Sequence, residues 1–119
     1  MEVQIFGVKK SADTRKALRF FAERRIKAHF VDLMERPASP GELQRFAQRV
    51  GVAALLDSGS RAFAEAGLRH ARLTDERLME KLADNPLLLR MPLVRQVGGG
   101  GTGATVGLAE EEWRRWMAR

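Results

Sequence analysis

The chain has 119 residues, of which 45% are hydrophobic and 30% charged, so one domain with one core and an ordinary soluble surface is expected. No apolar run reaches the ~18 residues of a membrane span, and the absence of cysteine excludes disulfides, thiolate nucleophiles and cysteine metal sites. The formal net charge of +6 raises nucleic acid as a partner, but the arginines are spread over predicted helix faces and two Trp with no Tyr give no stacking surface, so direct nucleic-acid binding is not expected.

Val3 to Phe6 reads as a short buried strand, and Gly7 to Lys10 as a turn carrying Lys9 and Lys10. From Ser11 the period changes: Ala17, Leu18, Phe20, Phe21 and Ala22 mark an apolar helix face among Arg15, Lys16, Arg19 and Glu23. Ser11 fits the N-cap of that helix. A strand that passes through a basic turn into a helix presents free backbone N–H groups at the helix start, where the dipole also favours negative charge. A second strand is expected from Ala28 to Asp32, completing a βαβ unit with a parallel pair. His29 lies on that strand and reads as a half-buried sheet residue. It is far from His70 in sequence, neither has ligand-like neighbours, and no metal site is expected.

Glu35-Arg36-Pro37 ends the strand, and Ser39-Pro40-Gly41-Glu42 forms a capping box for a helix bearing Leu43, Phe46, Ala47 and Val50, with Gly51 as its stop. Val52 to Leu56 is short and apolar, and Asp57 to Ser60 a turn. Ser60 caps a short helix from Arg61 to Ala66 that Gly67 ends. Thr74-Asp75-Glu76 opens another helix with Leu78, Met79 and Leu82 on one face, and Asp84-Asn85-Pro86 closes it. Leu87, Leu88 and Leu89 read as a buried approach to a third strand at Leu93, Val94 and Val97. Thr105, Val106 and Leu108 make a fourth. Between them Gly98 to Gly103 reads as a flexible antiparallel connection. It is no phosphate loop, since neither a Lys-Ser/Thr pair nor a helix follows. Glu110, Glu111 and Glu112 open a last helix with Trp113, Trp116 and Met117 as its apolar surface and Arg114, Arg115 and Arg119 toward its end.

The order is β α β, helical insertion, β β α. It predicts an α/β fold with a four-stranded mixed sheet, in which 1–34 and 87–119 form the sheet core and 35–86 an all-helical insertion within a single domain of residues 1–119. With no secretory pattern before the first strand, a cytoplasmic location is expected.

This order is that of the thioredoxin fold, and several segments carry a more specific likeness. Gly7-Val8-Lys9-Lys10-Ser11-Ala12-Asp13-Thr14-Arg15-Lys16-Ala17, Asn85-Pro86-Leu87-Leu88, Arg90-Met91-Pro92-Leu93-Val94, Ala66-Gly67-Leu68, and Val106-Gly107 with Glu110 to Trp113 occur in the order and spacing of one family. The chain resembles the arsenate reductase (ArsC)/Spx family of thioredoxin-like, glutaredoxin-like proteins over almost its whole length. The resemblance places Ser11 where the family has its active cysteine and Thr14 at a second cysteine position. Met91 stands where the reductases carry an arginine directly before proline. It implies a cis bond before Pro92, opposite the helix start, which would leave the Met91 backbone open to an extended peptide or thiol.

A serine hydroxyl does not ionise near neutral pH and needs a neighbouring base to attack, whereas a cysteine at a helix start can reach a pKa of ~4–7. The expectation is a redox-inactive binding or regulatory module with no catalytic residue, metal or cofactor. Its candidate anion- or ligand-binding residues are Lys9, Lys10, Ser11, Ala12, Asp13, Thr14, Arg90, Met91 and Pro92. The partners implied by the resemblance are RNA polymerase, through the likeness to Spx, or glutathione or a small anion. The alternatives are an arsenate reductase-like oxidoreductase linked to glutathione and glutaredoxin, or a non-redox anion- or glutathione-binding protein.

Overall fold

The computed structural model describes residues 1–118. The chain divides into two compact units, Met1–Arg36 with Met91–Arg119, and Pro37–Arg90.

The first unit is built on a four-stranded sheet of order β2-β1-β3-β4. β1 is Glu2–Gly7, β2 Lys27–Asp32, β3 Leu93–Val97 and β4 Ala104–Val106. β1 runs parallel to β2 and antiparallel to β3, and β3 antiparallel to β4, so the sheet is mixed. α1 (Ala12–Glu23) makes the crossover between the parallel strands, which a parallel pair requires. α5 is Glu110–Met117. Because side chains alternate along a strand, Val3 and Ile5 share one face of β1. They join Ala17, Phe20, Phe21, Val94 and Trp113 in one buried cluster. Phe20, Phe21 and Trp113 pack ring to ring at 5.1–5.3 Å between centroids. The buried Trp113 indole donates to the Thr105 hydroxyl at 2.8 Å, which ties α5 to β4 and satisfies the one polar atom the ring carries inside.

The second unit contains α2 (Pro40–Val50), α3 (Arg61–Glu65) and α4 (Asp75–Asp84), with 3-10 turns at Ala53–Leu55 and Pro86–Leu88. Its helices start where the sequence predicts. Ser39 and Glu42 form the full capping box, and Ser60 and Thr74 each accept from the amide three residues on. Leu43, Phe46, Leu55, Leu82 and Leu88 are buried. A short antiparallel clasp, Asp57 N to Leu88 O at 2.9 Å and Arg90 N to Leu55 O at 2.8 Å, joins the two 3-10 segments.

Several local expectations are corrected. β2 begins one residue early, at Lys27. Ala22, read as part of the α1 apolar face, is exposed. Leu87 is 46% exposed rather than buried, because the segment expected to approach the sheet winds as a 3-10 turn and turns one of its three leucines outward. Leu108 is also exposed, beyond the end of β4. Among the described residues, no helix is long and apolar enough to cross a membrane.

Candidate functional site

The register of the sheet defines the place. Gly7, the last residue of β1, pairs with Asp32, the last of β2. On the other side Phe6 pairs with Leu93, the first residue of β3, so Pro92 lies beside Gly7. The turn from β1 into α1 is thus flanked by Asp32 and by Met91-Pro92, all within the first unit. The Met91–Pro92 peptide bond is cis, as the resemblance implies.

The turn is tightly made. Ser11 N donates to Val8 O at 3.0 Å, and the Ser11 hydroxyl accepts from Thr14 N at 3.1 Å as the N-cap of α1. The first amides of a helix have no intrahelical acceptor. With Thr14 N taken by the cap, those of Ala12 and Asp13 are the donors left at this end. Ala12 is exposed and Ser11 and Asp13 are partly exposed.

The lysines are exposed. Lys9 Nζ is 3.9 Å from Asp32 Oδ2, and the Lys9 carbonyl accepts from Arg15 Nη1 at 2.6 Å. Asp13 pairs with Lys16 at 4.0 Å. Such exposed pairs fix little energy. They do set a mixed field at the turn, in which Lys10 and the carbonyl-bound Arg15 have no carboxylate partner among the described residues.

Thr14 does not belong to the ligand-facing set. It is fully buried, and its hydroxyl has no hydrogen-bond partner. It packs on Gly7: a Cβ there would stand 2.6 Å from Thr14 Cγ2 and closer still to the hydroxyl. The residue at the second cysteine position therefore points into the fold and makes Gly7 obligatory. The signal was present, since Thr14, Ala17 and Phe21 follow one helix face at i, i+3 and i+7.

Arg90 precedes β3 rather than lying on it, is exposed, and belongs to the second unit. Met91 is partly exposed and Pro92 buried. Asp32 was missed as a site neighbour, although the C-terminal ends of parallel strands in a βαβ unit necessarily lie together.

His29 is exposed rather than half-buried. It stands opposite Gln4, and its ring N–H donates to Glu2 Oε2 at 2.8 Å, toward the start of β1 and away from Ser11. That hydrogen bond holds the Glu2 carboxyl below its ordinary value. Among the described residues no group of three His, Cys, Asp or Glu side chains is placed to hold a metal ion. The site as built offers the Ser11 hydroxyl, two backbone amides and Lys10 to an anionic or extended ligand, with no thiol.

A family model described as the ArsC family matches residues 6–116. An arsenate reductase of Neisseria meningitidis is 29% identical over 105 residues, covering 86% of this chain and 90% of that protein. Among solved structures, an arsenate reductase from Vibrio cholerae superposes with a TM-score of 0.79 at 26% identity, over 97% of each chain. An arsenate reductase (ArsC) related protein from Brucella melitensis gives 0.70 at 20% identity, over 100% of this chain and 97% of that one.

Proposed function

The chain belongs to the ArsC family, and from that premise we propose that it is a redox-inactive member, a binding module that keeps the ligand frame of the family without its chemistry. One observation carries the reading. The residue at the nucleophile position is Ser11, and its oxygen is engaged as the cap of α1 while no cysteine exists anywhere in the chain. A hydroxyl needs a base to attack, and His29, the histidine of the sheet, is engaged by Glu2 instead. The position before Pro92 carries Met91, a thioether that cannot clamp an oxyanion.

What is left is recognition. The Ser11 hydroxyl, the Ala12 and Asp13 amides and Lys10 suit a carboxylate or a small oxyanion, and the Met91 backbone beside them suits an extended peptide. Glutathione combines both features and is the ligand proposed. The test is a titration with glutathione followed at the backbone amide resonances of Ala12 and Asp13. Saturable shifts at millimolar ligand are expected, and their absence would sink the reading.

The names of the relatives favour a second reading, an arsenate reductase-like oxidoreductase; in a chain without cysteine its thiols would come from glutathione and glutaredoxin. An assay of arsenate reduction with both present separates the two. No turnover by the wild type is expected, and turnover would establish the second reading. A regulatory role through RNA polymerase, the partner implied by likeness to Spx, is tested by pull-down with purified polymerase.

A further inference from the structure

Away from the first turn, α1 and the start of α5 form a notch of about 240 Å³ lined by Lys16, Arg19, Phe20, Glu23, Arg24 and Glu110. Two guanidinium groups are anchored at one aromatic ring beside it. Arg24 stands 3.7 Å from the Phe20 ring centroid, and its Nη1 donates to the Phe20 carbonyl at 3.0 Å. Arg114 stands 5.5 Å from the same centroid and donates to Glu110 Oε1 at 3.2 Å.

Among the described residues, no carboxylate pairs with Arg19 or Arg24. Like charges gathered on one wall repel each other, and an anion between them removes that cost. A guanidinium fork matches a tetrahedral oxyanion, and a fork already held by ring and carbonyl loses little freedom on binding. Two carboxylates oppose an anion here. Glu110 is committed to Arg114, which leaves Glu23.

We propose that this notch is a phosphate-binding site for a small molecule, with Arg24 as its anchored fork and Arg19 and Lys16 as flanking cations. It is separate from the turn after β1, and neither Lys9 nor Lys10 takes part in it. The proposal therefore stands or falls independently of the function proposed above.

The test is calorimetric titration with inorganic phosphate and with glycerol 3-phosphate at constant ionic strength, run on the wild type and on variants of matched thermal midpoint. Saturable binding is expected. Arg24→Gln and Arg19→Gln should each weaken it by about tenfold, the loss of one charge-assisted pair. Arg24→Lys, which keeps the charge but loses the fork, should fall nearly as far. Glu23→Gln should tighten binding several-fold, an effect a merely structural notch would not show. The double variant Lys9→Gln, Lys10→Gln should keep the binding that Arg24→Gln removes, whatever oxyanion the turn after β1 itself takes. If Arg24→Gln fails to fold, the exposed Arg19→Gln carries the comparison.

Tighter binding of glycerol 3-phosphate than of phosphate assigns the notch to an organic phosphate, and the reverse order to the free ion; either supports the site. No saturable heat at millimolar concentration overturns it. So does binding that is lost in the lysine variant and kept in both arginine variants. An oligonucleotide that binds far more tightly than either probe through the same arginines overturns the small-molecule assignment.

Discussion

Ser11 and Thr14 occupy equivalent chemical roles in the resemblance, yet the fold treats them in opposite ways. Ser11 faces the turn and caps α1, so Ser11→Ala should destabilise the protein by about 1 kcal/mol in denaturant unfolding. Ser11→Cys should give a thiol that titrates below the ordinary cysteine value, because the helix start favours the thiolate; ultraviolet thiolate absorbance against pH reads this directly. Thr14 is buried with an unpaired hydroxyl. A buried, unsatisfied polar atom is a net loss, so the near-isosteric Thr14→Val should be neutral or stabilising by about 1 kcal/mol. Gly7→Ala should be strongly destabilising, since its methyl meets Thr14. Thr14→Ala in the same chain should recover part of the loss, which a double-mutant cycle measures. A Gly7→Ala variant as stable as the wild type would show that the contact is not tight.

At the scale of elements, the caps were legible because each depends only on its neighbours. Ser11, Ser39 and Ser60 cap as read, and Thr74, read as the opening of a helix, caps α4. The end of α1 was not legible, because no glycine marks it. Arg25 takes the left-handed conformation at φ 58°, and Ile26 N reaches back to Phe21 O at 3.0 Å. The exposure of Leu87 was equally invisible: three leucines in a row have no period until the 3-10 turn gives them one. Pairing between strands also lies outside local pattern, and the Glu2–His29 contact depends on it. Here the sign of the pH dependence follows from the lowered Glu2 carboxyl. A group with a depressed folded pKa stabilises most above its unfolded value, and that contribution disappears as pH falls through the folded one. Stability from this contact should therefore be complete above the ordinary glutamate value of 4.5 and decline below it. Carbon-detected NMR titration of Glu2 should give a midpoint below that value, and His29→Ala should return it upward. An unchanged midpoint in the variant would remove His29 as the cause.

For the whole molecule, β1 is the strand on which the first unit depends. It is the only strand paired with both a parallel and an antiparallel neighbour among the described residues. Its Val3 and Ile5 are fully buried under α1 and α5. The sequence foretold the strand and the βαβ crossover. It could not foretell that Trp113 would be the buried keystone while Trp116, three residues on, stays only partly covered. Both tryptophans fall on the same helical stripe, and Trp113 is the one that packs on Phe20 and Phe21 and whose indole N–H reaches the Thr105 hydroxyl on β4. Amide exchange follows the free energy of opening, and the slowest amides mark the last structure to open. The Val3 and Ile5 amides should therefore exchange most slowly in the first unit. Trp113→Phe removes the hydrogen bond to Thr105 and leaves a gap where the larger ring packed. It should lower the protection of β1, β3 and β4 together by an amount worth about 2–3 kcal/mol. If that variant loosened α5 alone, with protection at Val3 and Ile5 unchanged, the cluster would not be one cooperative core and β1 would not be its centre.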